Sequence, residues 1–200
     1  KDKPKVFRKN LDKDFRGEKR SNQTHRSTTD PEARLMRKGP GKEAKLSFLG
    51  HALMENRNGL CIDLKVNEAT GHAERQAALD MLSRQSRKRV HPKTLGADKG
   101  YHASDFVGAL RGKNIIPHIA QAKNRKTPGL DQRTARHAGY KVSQRIRKRV
   151  EEIFGWFKTV GGLRKTRFRG VERTQECAFM VGAAYNLLRI SKLVPAGGIT

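Results

Sequence analysis

The sequence predicts an α/β domain, because segments with strand-like and helix-like periodicity alternate along it. From residue 45 onwards these segments follow the order β, β, α, β, α, β. Helices at 141–158 and 173–193 come next, and the second is apolar on nearly every face, as a buried packing helix would be. Alternating strands and helices are typical of a sheet that is covered by helices.

The composition divides the chain into three parts. Residues 1–44 hold few large apolar side chains, which predicts a poorly ordered basic arm that lies against the rest of the protein or its ligand. Within this arm, Asp30 and Pro31 favour a turn or a short helix. Residues 45–193 form the domain and 194–200 a tail. The sequence begins with lysine rather than methionine, so we expect it to be a fragment of a longer protein.

Turn residues and apolar periodicity predict where the elements of the domain lie. Strands at 45–55 and 60–66 flank Asn58-Gly59, the strongest short signal for a hairpin. Pro117 indicates an edge strand, because proline lacks the N–H that a central strand needs. The other elements are expected at 73–87 (helix), 94–101 (strand), 103–111 (helix) and 114–119 (strand), followed by a basic loop at 122–139.

The charge of the chain points to a polyanionic partner. There are 44 Lys and Arg against 19 Asp and Glu, which gives a net charge of +25 and a pI near 10.8. Nucleic acid is the leading candidate and an anionic membrane surface is its rival, while a nucleic-acid packing protein would carry the same charge. No apolar run is long enough to span a membrane. Cys61 and Cys177 lie in apolar runs, as small buried residues of a reducing compartment do.

The predicted helix at 141–158 carries a second feature beside its apolar face. Arg147, Glu151 and Lys158 project along one stripe at the edge of that face. One acid between two cations can bind a metal ion and a phosphate together. The alternative is a solvated flank with an ordinary Arg147–Glu151 ion pair, which would contribute a few tenths of a kcal/mol.

A second carboxylate follows a predicted strand. Asp98 comes at the carboxyl end of the strand, in the sequence ADKGY, where α/β folds present ligand-binding acids. Tyr101 next to it has two interpretations, contact with a bound strand or packing in the core. Asp63 is interpreted as a strand residue that faces solvent or pairs with a lysine. His51 and His72 have no ligand-like partners at metal spacing and are predicted not to bind metal.

These segments resemble the carboxy-terminal half of DDE transposases of bacterial insertion sequences. The matching stretches are ADKGY, SQRIRKRVEEIFGWFK and AAYNLLRI, together with TTDPEAR and GHALMENRNGL. The most similar group is that of insertion sequence five, within the insertion-sequence-four-like class, and the resemblance covers most of residues 16–193. That class carries the pattern Y-(2)-R-(3)-E-(6)-K, in which Arg147, Glu151 and Lys158 match three positions.

The resemblance implies a fold and a chemistry. The fold is ribonuclease H-like, with a mixed sheet flanked by helices, and the element order above fits it with one central strand missing. The implied activity is metal-dependent cleavage and strand transfer at terminal inverted repeats. Asp98 and Glu151 are the implied catalytic acids and metal ligands, and Lys99, Tyr101, Arg147 and Lys158 the implied DNA contacts. Two Mg²⁺ ions are the expected cofactors, with Mn²⁺ as an alternative.

The resemblance also implies partners and a place in the cell. The partners are DNA, as terminal inverted repeats and target, and further copies of the chain in a synaptic complex. The place is the cytoplasm of a bacterium, in association with the nucleoid.

The sequence departs from the family pattern at two points. The tyrosine position is occupied by Gln144. The first catalytic Asp, which the family carries in a strand of the type V-D-G-T, has no counterpart between residues 1 and 34, and neither Asp30 nor Asp63 takes its place. We therefore expect this chain alone to lack strand-transfer activity. Two further classes stay open, a non-enzymatic nucleic-acid binder and another ribonuclease H-like nuclease.

Overall fold

The structure is a computed structural model that describes residues 21–23, 26–37, 39, 42–70, 73–121, 130 and 132–194, without the side chains of 132 and 133. Most of the predicted arm, His72, the first part of the predicted basic loop and the tail from residue 195 lie outside the described residues.

The described strands are β1 (Arg34–Arg37), β2 (Ala44–Met54), β3 (Cys61–Glu68), β4 (Thr94–Ala97) and β5 (Ile116–Ile119). The helices are α1 (Ala73–Arg87), α2 (Ser104–Gly112), α3 (Gln132–Arg136), α4 (Ala138–Ile146), α5 (Arg149–Thr159) and α6 (Val171–Ser191).

The strands form two separate sheets within the described part of the chain. One is antiparallel with the order β1-β2-β3, and the other is the parallel pair β4-β5. The predicted order β, β, α, β, α, β from residue 45 is confirmed, and so are the hairpin and its turn. Pro117 predicted an edge strand, and among the strands that the structure describes β5 pairs with β4.

Helices cover both faces of the sheets, as the alternating side chains of β2 show. Leu53 of β2 and Leu95 of β4 pack in the same apolar cluster as helices α1 and α2. Phe48 and Ala52 of β2 point the other way, into a cluster with α5 and α6. The molecule therefore has three layers, and the first cluster joins the two sheets.

The first cluster holds several of the largest fully buried side chains. Phe106, Val107 and Leu110 of α2 and Ile119 of β5 are each at most 1% exposed. Burying a side chain of this size contributes roughly 1.5–3 kcal/mol relative to leaving it in water. This cluster is therefore the main support of β4, the strand that ends at Asp98.

The structure corrects the prediction of one helix over 141–158. Helix α4 ends at Ile146, and α5 begins at Arg149 after a turn. Across the turn, the N–H of Val150 and that of Glu151 donate to carbonyls three residues back, which tightens the helical ladder. No proline or glycine marks this site in the sequence, so the break is a product of packing.

The prediction that the last helix is buried is also wrong. Helix α6 runs from Val171 to Ser191, close to the predicted bounds, but only Thr174, Ala178 and Gly182 are buried in it. Its outer face exposes the large apolar side chains Phe179, Met180, Leu187, Leu188 and Ile190. Apolar composition on all sides predicted full burial, whereas one face alone has the sheet to pack against.

Two smaller predictions change as well. The segment predicted as an arm contains the strand β1, which pairs with the first residues of β2. Asp63 does not face solvent or pair with a lysine. It is buried and accepts hydrogen bonds from Arg84 and Gln85 of α1. The turn predicted at Asp30 is confirmed, with its Oδ1 accepting from the N–H of Glu32.

The junction between α5 and α6 requires a glycine at position 161. A Cβ there would lie 2.5 Å from Val181 Cγ1 and 2.9 Å from the carbonyl oxygen of Phe157. We expect Gly161→Ala to lower the free energy of unfolding by about 1–3 kcal/mol, since the backbone oxygen cannot move aside. Gly155→Ala is the matched control, because its Cβ meets nothing within 4 Å. That variant is expected to raise stability by up to about 1 kcal/mol through helix propensity. Urea denaturation of both variants tests the pair, and equal effects would contradict the packing described.

Candidate functional site

Asp98 follows directly after β4 and is exposed. Its Oδ1 accepts a hydrogen bond of 2.8 Å from the N–H of Gly100, and so it caps the short helical turn that runs from Lys99 to Tyr101. Its other oxygen, Oδ2, accepts no hydrogen bond from the described residues. The carboxylate is thus oriented by the turn and keeps one oxygen available for a ligand.

The pair of helices α4 and α5 packs against both sheets. A Cβ at Gly96 of β4 would lie 3.6 Å from Ser143 Cβ and 3.7 Å from Arg147 Cβ, at the end of α4. A Cβ at Gly50 of β2 would lie 4.0 Å from the ring of Phe154 in α5. At both positions a helix lies within van der Waals distance of a strand. Glu151 falls between these two points of contact, on the part of α5 that passes from one sheet to the other.

Arg147 is held by a residue that departs from the family pattern. Its Nε donates to Gln144 Oε1 over 2.8 Å, and the Gln144 amide nitrogen donates to the carbonyl oxygen of His118 in β5. The side chain of Gln144 therefore ties Arg147 to the parallel sheet. The sequence reasoning missed this role. The available signal was the i, i+3 spacing of Gln144 and Arg147, which places both on one helix face.

The ion pair between Arg147 and Glu151, the alternative to a functional stripe, is not formed. Among the described residues no hydrogen bond or ion pair engages the side chain of Glu151, which is exposed. Lys158 is exposed too, and its Nζ lies 5.7 Å from the centroid of the Phe154 ring. The neighbouring Glu152 lies near Tyr185 of α6. The pKa of Tyr185 is raised, mainly by burial and to a smaller extent by the charge of Glu152. The two adjacent glutamates thus face different surroundings.

Tyr101 packs against the core, and Lys99 faces solvent. The ring of Tyr101 lies 5.3 Å from that of Phe106, centroid to centroid. Burial raises the pKa of its hydroxyl to about 12, with Glu74 and Asp98 as smaller causes. Of the two interpretations of Tyr101, the structure therefore shows the packing contact. Its hydroxyl stays protonated at neutral pH and remains close to Asp98.

No group of three or more His, Cys, Asp or Glu that could hold a metal ion occurs in the part of the chain that the structure describes. Asp98 and Glu151 nevertheless provide the right kind of donor. Mg²⁺ prefers oxygen ligands, and one or two carboxylates with substrate phosphates are its usual protein site. The carboxylate oxygens of the two acids are therefore of the type that binds Mg²⁺. Substrate and water oxygens would fill the other coordination positions of the ion.

His51 on β2 is buried, 7% exposed, and its Nε2 has no hydrogen-bond partner. Burial, and to a lesser extent Lys65, lowers its pKa to about 4. An unfolded chain binds a proton at this residue below about pH 6.5, whereas the folded protein does not. The contribution of His51 to the free energy of unfolding is therefore fully present above pH 6.5. It falls by about 3 kcal/mol as the pH drops towards 4.

We expect His51→Gln to reduce this pH dependence, measured by urea denaturation from neutral pH down to the acid range. His91→Gln is the control, because His91 is exposed. A His51→Gln variant that loses stability with acid as steeply as the parent would contradict the prediction.

None of the helices in the described part of the chain is both long and apolar enough to cross a membrane. Both cysteines are free, and burial raises the pKa of Cys61 to about 12, so that its thiol is inert.

Comparison with known protein families identifies the family of the chain. The family model for the transposase DDE domain matches residues 20–187, which is most of the chain. Searches of curated proteins and of solved structures found no match.

Proposed function

The chain belongs to the family of transposase DDE domains, and from this premise we propose that it serves metal-dependent DNA cleavage and strand transfer. DNA transposition in general follows from the family. The finer proposal is a member of the insertion-sequence-five group that acts on terminal inverted repeats and target DNA. Its place would be the bacterial cytoplasm, in association with the nucleoid.

The observation that carries the proposal is the position of α4 and α5 against both sheets. Arg147 lies beside Gly96, two residues before Asp98. Glu151 follows one helical turn later, exposed and without an ion-pair partner among the described residues. An unpaired carboxylate between two basic side chains suits a cation bridged to phosphate better than it suits a structural salt bridge.

We propose that Asp98 and Glu151 hold divalent metal, with Mg²⁺ as the natural ion and Mn²⁺ as its substitute. Such an ion, when bound, lowers the pKa of an attacking water or hydroxyl and stabilises the leaving oxygen. Asp98 contributes through its free Oδ2, since Oδ1 is engaged by Gly100.

The basic residues have separate roles in this proposal. Arg147, fixed by Gln144, presents its guanidinium to a phosphate beside the scissile bond. Lys158 provides a point charge further along α5, and Lys99 a third cation next to Asp98. Tyr101 has its ring in the core, so a DNA contact would use its hydroxyl alone.

We further propose that the complete fold is ribonuclease H-like and contains one more central strand, with a third acid. In the described part of the chain, residues 48–54 of β2 pair with β3 on one edge and β4 pairs with β5 on one edge. No other described strand pairs with the second edge of either segment, and a strand placed between them would join the sheets. Without the third acid, we expect the chain to bind DNA but not to join strands.

A non-enzymatic nucleic-acid binder is the second candidate, because the chain has a net charge of +25 and only two of the described acids are placed for chemistry. Another nuclease of the same fold is the third. The reaction products distinguish these three classes. Joined strands indicate a transposase, and nicked DNA without joined strands indicates a nuclease. If added metal produces no cleavage, the chain is a nucleic-acid binder.

The test is to incubate the chain with DNA that carries terminal inverted repeats, with and without Mg²⁺. We expect binding that weakens steeply with salt, and we expect Asp98→Asn and Glu151→Gln to leave that affinity intact or raise it. Multiple chains on paired DNA ends, seen by light scattering, would support the proposed synaptic oligomer. Metal-dependent cleavage by the chain alone would contradict the proposed inactivity, while affinity that is insensitive to salt would contradict DNA binding.

A further inference from the structure

The loop between α5 and α6, residues 160–170, combines cations with an exposed aromatic ring. Arg164, Lys165, Arg167 and Arg169 are all exposed. None of these four has an ion-pair partner among the described residues. Phe168 lies between Arg167 and Arg169 in the sequence, and 43% of its surface is exposed. No described aromatic ring or cation stacks on it.

The loop is anchored along its length by contacts with both flanking helices. The N–H of Leu163 donates to the carbonyl of Phe157 over 2.9 Å. Thr166 Oγ1 accepts from the N–H of Phe168 over 3.1 Å and lies 3.4 Å from Thr174 Oγ1 of α6. These bonds hold the backbone on either side of the aromatic ring.

The far end of the loop is fixed by acids from the segment before β1. Asp30 Oδ2 accepts from the N–H of Gly170 over 3.2 Å, and Glu32 Oε2 accepts from the N–H of Val171. Gly170 has a φ of +83°, a conformation that favours glycine. The two acids thus accept from the N–H groups of Gly170 and Val171 at the start of α6 and fix where the loop ends.

We propose that this loop is a binding site for single-stranded DNA, in which Phe168 stacks on an unpaired base and the flanking cations hold the phosphates. An ordered aromatic ring beside several unpaired cations is the combination that binds single strands, because every base has a face on which a ring can stack. Bases in a duplex already stack on one another, so the ring favours an unpaired strand.

The site extends the proposed function, on which it rests. The loop begins at the end of α5, and Thr159 lies eight residues from Glu151, roughly 12 Å along the helix axis at 1.5 Å per residue. Lys158 is exposed between them. The loop therefore begins within a few nucleotides' length of Glu151, with the exposed cation of Lys158 on the way.

The test measures binding of the full chain to a single-stranded oligonucleotide with 2-aminopurine and to a duplex of the same sequence. We expect Phe168→Ala to weaken single-strand binding about tenfold and to abolish the quenching of 2-aminopurine, with duplex binding nearly unchanged. Phe168→Trp should retain both signals, whereas Phe168→Leu, apolar but not planar, should lose them. Arg167→Gln should weaken both DNAs and lower the single-strand salt slope by about 0.7.

Phe179→Ala is the matched control, because Phe179 is 45% exposed on α6. It should leave single-strand binding unchanged. Three results would each overturn the stacking site while the proposed function stands. They are unchanged single-strand affinity in Phe168→Ala, equal losses of affinity for both DNAs in that variant, and single-strand binding and quenching in Phe168→Leu equal to those of the parent. Loss of binding to vesicles of anionic lipid in Phe168→Ala, with DNA binding intact, would overturn it in favour of a membrane contact. A chain that binds neither DNA would overturn the site and the proposed function together.

Discussion

Glu151→Gln is expected to weaken Mn²⁺ binding to the DNA-bound chain by at least 10- to 100-fold. That range is the usual cost of losing a residue that merely supports a metal ligand, so loss of a ligand itself should cost no less. The side chain is exposed and free of described ion-pair partners, so the replacement should not affect folding. Asp98→Asn should act in the same direction. Electron paramagnetic resonance of free and bound Mn²⁺ in the presence of DNA provides the measurement.

Glu152→Gln is the control for this prediction, because it removes the same charge one position away on the same helix. Glu152 lies on the side of α5 near Tyr185. Its replacement should leave Mn²⁺ binding unchanged. Equal losses of Mn²⁺ affinity in the two glutamine variants would show that the overall negative charge attracts the ion. That result would contradict the assignment of Glu151 as a ligand.

Asp63→Ala is expected to lower the free energy of unfolding by about 3–5 kcal/mol, the usual effect of breaking a buried charge pair. The Asp63 side chain is 6% exposed, and Arg84 Nη2 lies 2.9 Å from its Oδ1. It also accepts from Arg84 Nε, from Gln85 Nε2 and from the N–H of Leu64. Its removal takes this acceptor from the buried amide of Gln85 and leaves Arg84 with the carbonyl oxygen of Leu64 alone among the described acceptors.

Asp63→Asn separates charge from hydrogen bonding, since the amide keeps one acceptor oxygen and should cost less than alanine. Glu43→Ala is the control, because Glu43 and Lys45 form an exposed pair, 74% and 71% accessible. That variant should change stability by less than about 1 kcal/mol. Urea denaturation at neutral pH compares them, and a loss below about 1 kcal/mol for Asp63→Ala would contradict a structural role for this network.

The sequence alone determined the element order and much of the candidate chemistry. Apolar periodicity located α1 at its observed bounds, and the Asn58-Gly59 turn placed the hairpin. These signals are local, because a helix or a turn depends mainly on residues within a few positions of each other. The spacing of Arg147, Glu151 and Lys158 and the strand-end position of Asp98 were likewise readable from the chain.

Tertiary structure decided how those residues are placed and which partners they have. The break between α4 and α5 has no sequence signal, because it arises where the helices pack on two sheets at once. The burial of Asp63 depended on Arg84, 21 residues away, and the exposure of the outer face of α6 on the lack of a second described layer there. Gln144, a departure from the family pattern in the sequence, proved to be the residue that ties Arg147 to β5. Each of these outcomes rests on contacts between distant segments, and local patterns do not encode such contacts.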